Sequence, residues 1–224
     1  MTLIPSPVRR GFNAILDPIA RSLILAKVNP NTLTTFGTLI LVAGGWCYGS
    51  GYIRSGGALL LLSGVFDMLD GKVARFGEGM TRFGAFYDST LDRVGEAALF
   101  TGLAVLCIDG GVPAVPLVTS LVICMITLGA TATVSYARAR AEGLGLDCSV
   151  GLAQRAERIL VLGIPTVLFG AGPNGWLLLG IVSLLGLTSI ITVIQRIVHV
   201  HGLTRGDVVG VEIPELAGKG QGGR

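Results

Sequence analysis

The sequence predicts an all-α integral membrane protein, with an N-terminal amphipathic interfacial helix followed by six transmembrane helices. Three observations carry that expectation. Of the 224 residues, 51% are hydrophobic and only 14% charged, and the mean hydropathy is +0.72, well beyond the apolar share of a soluble domain. Apolar runs recur at close to the ~20 residues that cross a bilayer. The basic residues then fall almost entirely on one side of the membrane that those runs define.

The first element lies between Val8 and Ile24, where Val8, Phe12, Ile15, Leu16, Ile19, Leu23 and Ile24 recur at helical spacing. Arg9, Arg10, Asn13, Asp17 and Arg21 fill the opposite face, which describes a helix lying in the interface. Pro18 is expected to kink it. The N-terminal MTLIPSPVRRGFNAIL lacks the charged, apolar and small-residue order of a removed signal peptide, so it is expected to persist.

Spans are expected over residues 32–50, 54–75, 84–107, 113–140, 153–171 and 175–199. Asn31 and Thr32 can cap the first after Pro30. Gly77 and Gly79 break the chain between the second and third, and Pro173-Asn174-Gly175 separates the last two. Short connections predict antiparallel neighbours. The chain thus divides into an interfacial segment, residues 1–30, a six-helix membrane catalytic domain, 31–201, and a glycine-rich flexible tail, 202–224.

Of the 17 basic residues, only Arg54 and Arg93 fall away from the inner side when the N-terminus is cytoplasmic. Both termini are therefore expected inside. A net charge of +3, with no basic stripe interleaved with aromatics, argues against a nucleic-acid partner. The cysteines (Cys47, Cys107, Cys124 and Cys148) show no metal-ligand spacing and read as packing residues.

Carboxylates within a bilayer cost several kcal/mol and mark function by default. Asp67 and Asp70 are i, i+3 near the inner end of the second span, and Asp88 and Asp92 are i, i+4 near the inner start of the third. Each pair shares a helix face. With the two helices joined by a tight turn and running antiparallel, both pairs meet at similar depth. Four converging carboxylates repel unless a cation joins them, and hard oxygen donors suit Mg²⁺ or Mn²⁺. A lone aspartate could instead serve a salt bridge with Arg93 or Arg75, but four have too few nearby cations for that. Gly71 and Ala74 lie on or beside the Asp67 and Asp70 face, and Gly84 precedes Asp88 by one turn, opening space for a bulky ligand. Arg75 stands at the mouth, placed to grip a diphosphate or to anchor the helix.

The stretch DMLDGKVARFGEGMTRFGAFYDSTLD, from Asp67 to Asp92, matches D-x2-D-G-x2-A-R-x8-G-x3-D-x3-D at every fixed position. It resembles the signature of the CDP-alcohol phosphotransferases. The resemblance implies that Asp67, Asp70 and Asp88 hold Mg²⁺ or Mn²⁺, with Asp92 completing the site and acting as general base on the acceptor hydroxyl. Asp67, Gly71, Ala74, Arg75 and Gly84 would receive the CDP portion of CDP-diacylglycerol or an ether-lipid analogue. The likeness also suggests a homodimer, for which Gly37, Gly44, Gly45, Gly180 and Gly186 permit close helix contact.

Arginines crowd the same membrane face: Arg138 and Arg140 end the fourth span, Arg155 and Arg158 begin the fifth, and Arg196 ends the sixth. The positive-inside rule accounts for them in part; a pocket for a phosphorylated acceptor accounts for them otherwise. YxxARAE followed by RxER resembles the branch that joins CDP-diacylglycerol to inositol 1-phosphate, with Arg138 where that branch has lysine and Ala156 where it has proline. By that analogy Arg138, Arg155 and Arg196 bind the acceptor's phosphate. A synthase using glycerol 3-phosphate is the nearest alternative. A cation transporter is a distant one, since the acidic pairs sit near one face and no inverted repeat is visible.

Overall fold

The computed structural model describes residues 6–77, 80–152 and 155–205, with side chains from Asn13 onward. Among the described residues all regular structure is helical: α1 Ser6–Leu25, α2 Pro30–Gly49, α3 Ile53–Phe76, α4 Arg82–Ile108, α5 Leu117–Gly143, α6 Arg155–Phe169 and α7 Trp176–Leu203, with a 3-10 turn at Pro173–Gly175. Helices α2 to α7 correspond in order to the six expected spans. α5 and the Pro173–Leu203 stretch are long and apolar enough to cross a membrane. Large apolar side chains such as Phe36, Trp46, Ile126, Ile194 and Val198 are exposed on the outer surface, as a lipid-facing wall requires.

Several boundaries shift for local reasons. α2 is capped by Asn29, not by Asn31 or Thr32: its side chain accepts the Asn31 N–H at 2.9 Å, and Pro30 takes the first helical position, where its missing N–H is harmless. α4 begins at a Thr81 cap that accepts the Gly84 N–H at 2.9 Å. Residues 113–116, expected to start a span, form a turn whose Ala114 N–H donates to the Asn174 carbonyl. α7 runs on to Leu203, past the expected tail boundary. The rest of that tail, from residue 206, and the outer face of α1 at residues 8–12 lie outside the described residues or side chains.

Helix α1 packs on α3 and the start of α2. Leu16 and Ala20 are buried against Leu33, Leu69 and Val73, while Ile15 and Ile19 stay exposed. Two residues of its polar face are engaged by α3: Lys72 Nζ donates to Asp17 Oδ1 at 2.5 Å and to Asn13 Oδ1 at 3.0 Å, while Arg21 is exposed. The helix continues through Pro18.

Helices α2 to α7 pack as a closed ring in the order α2, α4, α5, α7, α6, α3, with α1 on the outer side of α3. This corrects one expectation. α3 and α4 follow each other in sequence but, among the described residues, do not pack backbone to backbone; both pack on α2. The cause is glycine on α2. A Cβ on Gly45 would stand 2.5 Å from the Ala98 carbonyl oxygen, and one on Gly44 would stand 3.3 Å from that of Gly56. α2 therefore seats deeply against α4 on one side and α3 on the other, wedging them apart. The same fit uses Gly37 against Phe66, and Gly186 packs on Thr127 of α5. Of the five glycines suggested for a dimer, Gly180 alone has open space around it.

The ring's interior is sealed at mid-depth by Leu60, Leu99, Phe100, Leu103, Leu162, Val182 and Leu185. Polar links fix the helices: Tyr48, fully buried, shares a hydrogen bond of 2.8 Å with Thr166, and Thr127 donates to the Val182 carbonyl at 3.1 Å. Such bonds contribute about 0.6 to 2 kcal/mol each in apolar surroundings.

Candidate active site

Because α2 wedges α3 and α4 apart, their acidic faces look at each other across a gap that side chains can span. Asp67, Asp70 and Asp88 each place a carboxylate oxygen within 4.8 Å of the other two. Asp70 is held in place by Thr34 of α2, whose hydroxyl donates to Asp70 Oδ2 at 2.8 Å. Asp88 Oδ1 is buried and, among the described residues, meets no hydrogen-bond partner. An oxygen of that kind is expensive unless a ligand satisfies it. Three hard donors, one of them orphaned, fit a divalent cation such as Mg²⁺ or Mn²⁺.

Asp92 stands outside that trio. Its Oδ1 is ion-paired with Arg155 Nη1, and its Oδ2 lies 3.5 Å from Arg93 Nη1. Arg155 Nη1 also lies 3.5 Å from Asp67 Oδ1. The expectation that too few cations reach the aspartates is thus corrected: packing of α6 on α3 brings in Arg155, a residue far away in sequence. Arg75 does not come to the carboxylates. It is exposed, with its guanidinium over Gly71, where a Cβ would meet Nη1 at 3.4 Å. Ala74 is half-buried on the same helix. Gly84 faces Asn31, with 3.3 Å from its Cβ position to Oδ1.

Beside the aspartates lies a cavity of about 520 Å³, walled by α3, α4, α5, α6 and α7. Asp67, Asp88 and Asp92 form one wall, and Arg138, Arg155 and Arg196 another. The three arginines differ in how free they are. Arg138 is more than half exposed, and its Nε donates to Glu142 Oε1 at 2.8 Å. Arg196 is buried and structural in part: its Nε donates to the Val150 carbonyl at 3.0 Å and its Nη1 to the Val134 carbonyl. It thereby ties α7 to α5 and to the loop before α6.

Sequence reasoning did not single out Thr34, or the hydrogen bond of 2.9 Å between Thr35 and Tyr87 that joins α2 to α4 beside the site; no local pattern marks either. It also passed over Glu96 and Arg158 as site residues, which line the same cavity. Helix arithmetic reaches both, since Glu96 is i+4 from Asp92 and Arg158 is i+3 from Arg155.

Comparison with known proteins decides what such a site belongs to. The family model for CDP-alcohol phosphatidyltransferase matches residues 27–201. The chain belongs to that family. This phosphatidyltransferase is 39% identical over 189 residues to the phosphatidylinositol phosphate synthase of Mycobacteroides abscessus, covering 84% of each chain. It is 38% identical over 194 residues to the archaetidylinositol phosphate synthase of Methanothermobacter thermautotrophicus, covering 87% of this chain and 91% of that one. Its fold is similar to the crystal structure of Mycobacterium tuberculosis phosphatidylinositol phosphate synthase with CDP-DAG bound. The TM-score is 0.72 at 32% identity, covering 84% of this chain and 94% of that one. The same synthase in complex with manganese and citrate gives a TM-score of 0.71 at 32% identity, with 83% and 88% covered. The protein is therefore a membrane-associated enzyme of phospholipid synthesis, and the transporter reading falls away.

Proposed function

We propose that this phosphatidyltransferase moves a phosphatidyl group from CDP-diacylglycerol, or its ether-lipid analogue, to a hydroxyl of inositol 1-phosphate, giving phosphatidylinositol phosphate and CMP. The observation that carries the reading is the position of Arg155. One guanidinium touches both Asp92 and Asp67 and also faces the cavity that Arg138 and Arg196 line. An acceptor that brings its own phosphate meets those arginines beside the carboxylate that must take its proton.

In this reading Asp67, Asp70 and Asp88, with Asp92 completing the set, hold the divalent cation. When bound, that cation neutralises charge on the diphosphate oxygens and eases departure of CMP. Asp67, Gly71, Ala74, Arg75 and Gly84 receive the CDP portion: the glycines leave room for the nucleotide and Arg75 grips the diphosphate. Arg138, Arg155 and Arg196 bind the acceptor's phosphate. As Arg155 turns to that phosphate, Asp92 loses its ion pair and is freed to accept the proton of the acceptor hydroxyl. The hydroxyl oxygen bonds to the phosphatidyl phosphorus while the bond from that phosphorus to the bridging oxygen breaks. The electron pair leaves with CMP.

The placement in the membrane is part of the same proposal. Helices α2 to α7, within a catalytic domain of residues 31–201, cross the bilayer six times. α1, within residues 1–30, lies in the interface, and residues 202–224 form a cytoplasmic tail. Both termini and the site face the cytoplasm, as the distribution of basic residues supports. A homodimer would use surfaces other than Gly37, Gly44, Gly45 and Gly186, which are filled within the protomer.

Release of CMP by the purified enzyme, supplied with CDP-diacylglycerol and each of several alcohols, tests the acceptor assignment. Turnover with inositol 1-phosphate, and little with glycerol 3-phosphate or free inositol, is the expected outcome. Preference for glycerol 3-phosphate would replace it with the phosphatidylglycerophosphate reading.

A further inference from the structure

Glu96 and Arg158 lie one turn deeper in the ring than Asp92 and Arg155, about 6 Å further along α4, and the chemistry above does not use them. Glu96 Oε1 is 2.9 Å from Arg158 Nη2, with the side chains only 14% and 9% exposed. That contact engages one oxygen and one nitrogen. Glu96 Oε2 and Arg158 Nε and Nη1 are buried and, among the described residues, have no hydrogen-bond partner. On one side the pair borders the cavity of about 520 Å³. On the other, Leu99, Phe100, Thr131, Ile159 and Leu162 line a small void beside it, and the Thr131 hydroxyl is committed to the Leu128 carbonyl at 3.0 Å.

A half-satisfied buried ion pair is a poor stabilising device, because apolar residues of similar volume would serve stability as well or better. Both residues line a cavity of ligand size, and side by side they offer an acceptor next to donors. A hydroxyl group matches that pattern: its hydrogen donates to the carboxylate and its lone pairs accept from the guanidinium.

We propose that Glu96 and Arg158 form the hydroxyl-recognising floor of the acceptor cavity. They select a compact ring bearing several hydroxyls over a short phosphorylated alcohol. The inference rests on reading the cavity as the acceptor site and adds the residues that set its specificity. The acceptor's phosphate lies at the arginine wall, its attacking hydroxyl at Asp92, and its remaining hydroxyls reach the floor. A three-carbon acceptor engaged at the first two points leaves Glu96 Oε2 and Arg158 Nη1 unpaired, and sites built to bond a hydroxyl discriminate strongly against molecules that lack it.

The test measures CMP release under saturating divalent cation, with each substrate varied in turn while the other is held saturating. Glu96→Gln should raise KM for inositol 1-phosphate at least tenfold while leaving KM for CDP-diacylglycerol unchanged. With the wild-type enzyme, a series of inositol 1-phosphates each lacking one non-reacting hydroxyl should contain at least one member with a similar loss. That member should lose little more in the Glu96→Gln enzyme, since the two changes remove the same contact. If Glu96→Gln fails to fold, the double variant Glu96→Leu with Arg158→Met removes both charges together. It should bind CDP-diacylglycerol and lose affinity for inositol 1-phosphate. Unchanged KM in the folded variant, or a deoxy series that behaves uniformly like the parent, would overturn the inference while leaving the acceptor assignment standing. Wild-type turnover with glycerol 3-phosphate and none with inositol 1-phosphate would overturn both.

Discussion

Arg155, at the start of α6, is ion-paired through Nη1 to Asp92 on α4, so the residue assigned to the acceptor's phosphate guards the residue assigned to its proton. In the proposed reaction this pairing couples acceptor binding to base activation without any large movement of the fold. Removing either partner should therefore affect different steps.

Asp92→Asn keeps the shape and removes the basicity. Turnover should fall by about 10²- to 10⁴-fold, while CDP-diacylglycerol binding, followed by calorimetry in detergent, stays within a few-fold of wild type. Retention of substantial turnover would remove Asp92 from the base role.

Arg155→Ala and Arg196→Ala should part company. The first raises KM for inositol 1-phosphate by one to two orders of magnitude, with Arg155→Lys intermediate because ammonium lacks the planar fork. The second removes bonds from a buried cation to the Val134 and Val150 carbonyls. Besides weakening the acceptor's phosphate site, it should lower Tm in the absence of any substrate, through a stability loss of about 1.5 to 3 kcal/mol per charged hydrogen bond. Thermal unfolding beside steady-state kinetics separates the two.

Thr34 orients Asp70 from a third helix. Thr34→Val should weaken activation by Mg²⁺ or Mn²⁺ about 10- to 100-fold, as loss of an outer partner of a metal ligand does; Thr34→Ser should restore it. The midpoint of a divalent-cation titration of CMP release reads this directly.

Gly45→Ala forces a Cβ against the Ala98 carbonyl and should destabilise the ring by about 1 to 3 kcal/mol, as overpacking does. Gly180→Ala meets nothing within 4 Å and should leave stability unchanged or slightly raised. Tm in detergent compares them.

These residues also show what could be read from the chain beforehand. Asp67, Asp70, Asp88 and Asp92 were legible because i, i+3 and i, i+4 spacing fixes a face within one helix. The helices themselves were legible from hydropathy and caps, though Pro30 drew the first cap back to Asn29. The partners of the aspartates were not legible: Arg155 and Thr34 arrive from α6 and α2, and only the order of helices in the ring places them. That order turns on the fit of Gly45 against α4, a tertiary contact that makes sequence neighbours α3 and α4 non-neighbours in space. Glu96 and Arg158 were within reach of the same helical arithmetic, but a lone acidic and a lone basic residue give no signal until packing joins them.

The central claim is that carboxylates from α3 and α4 share one divalent cation. The most direct measurement is CMP release by enzyme exhaustively chelated and then titrated with Mg²⁺ or Mn²⁺, in wild type and in Asp88→Asn. The account predicts no turnover after chelation, recovery on adding back either ion, and a titration displaced to much higher ion concentration in Asp88→Asn. Full turnover by the chelated enzyme, or identical titrations for the two proteins, would contradict it.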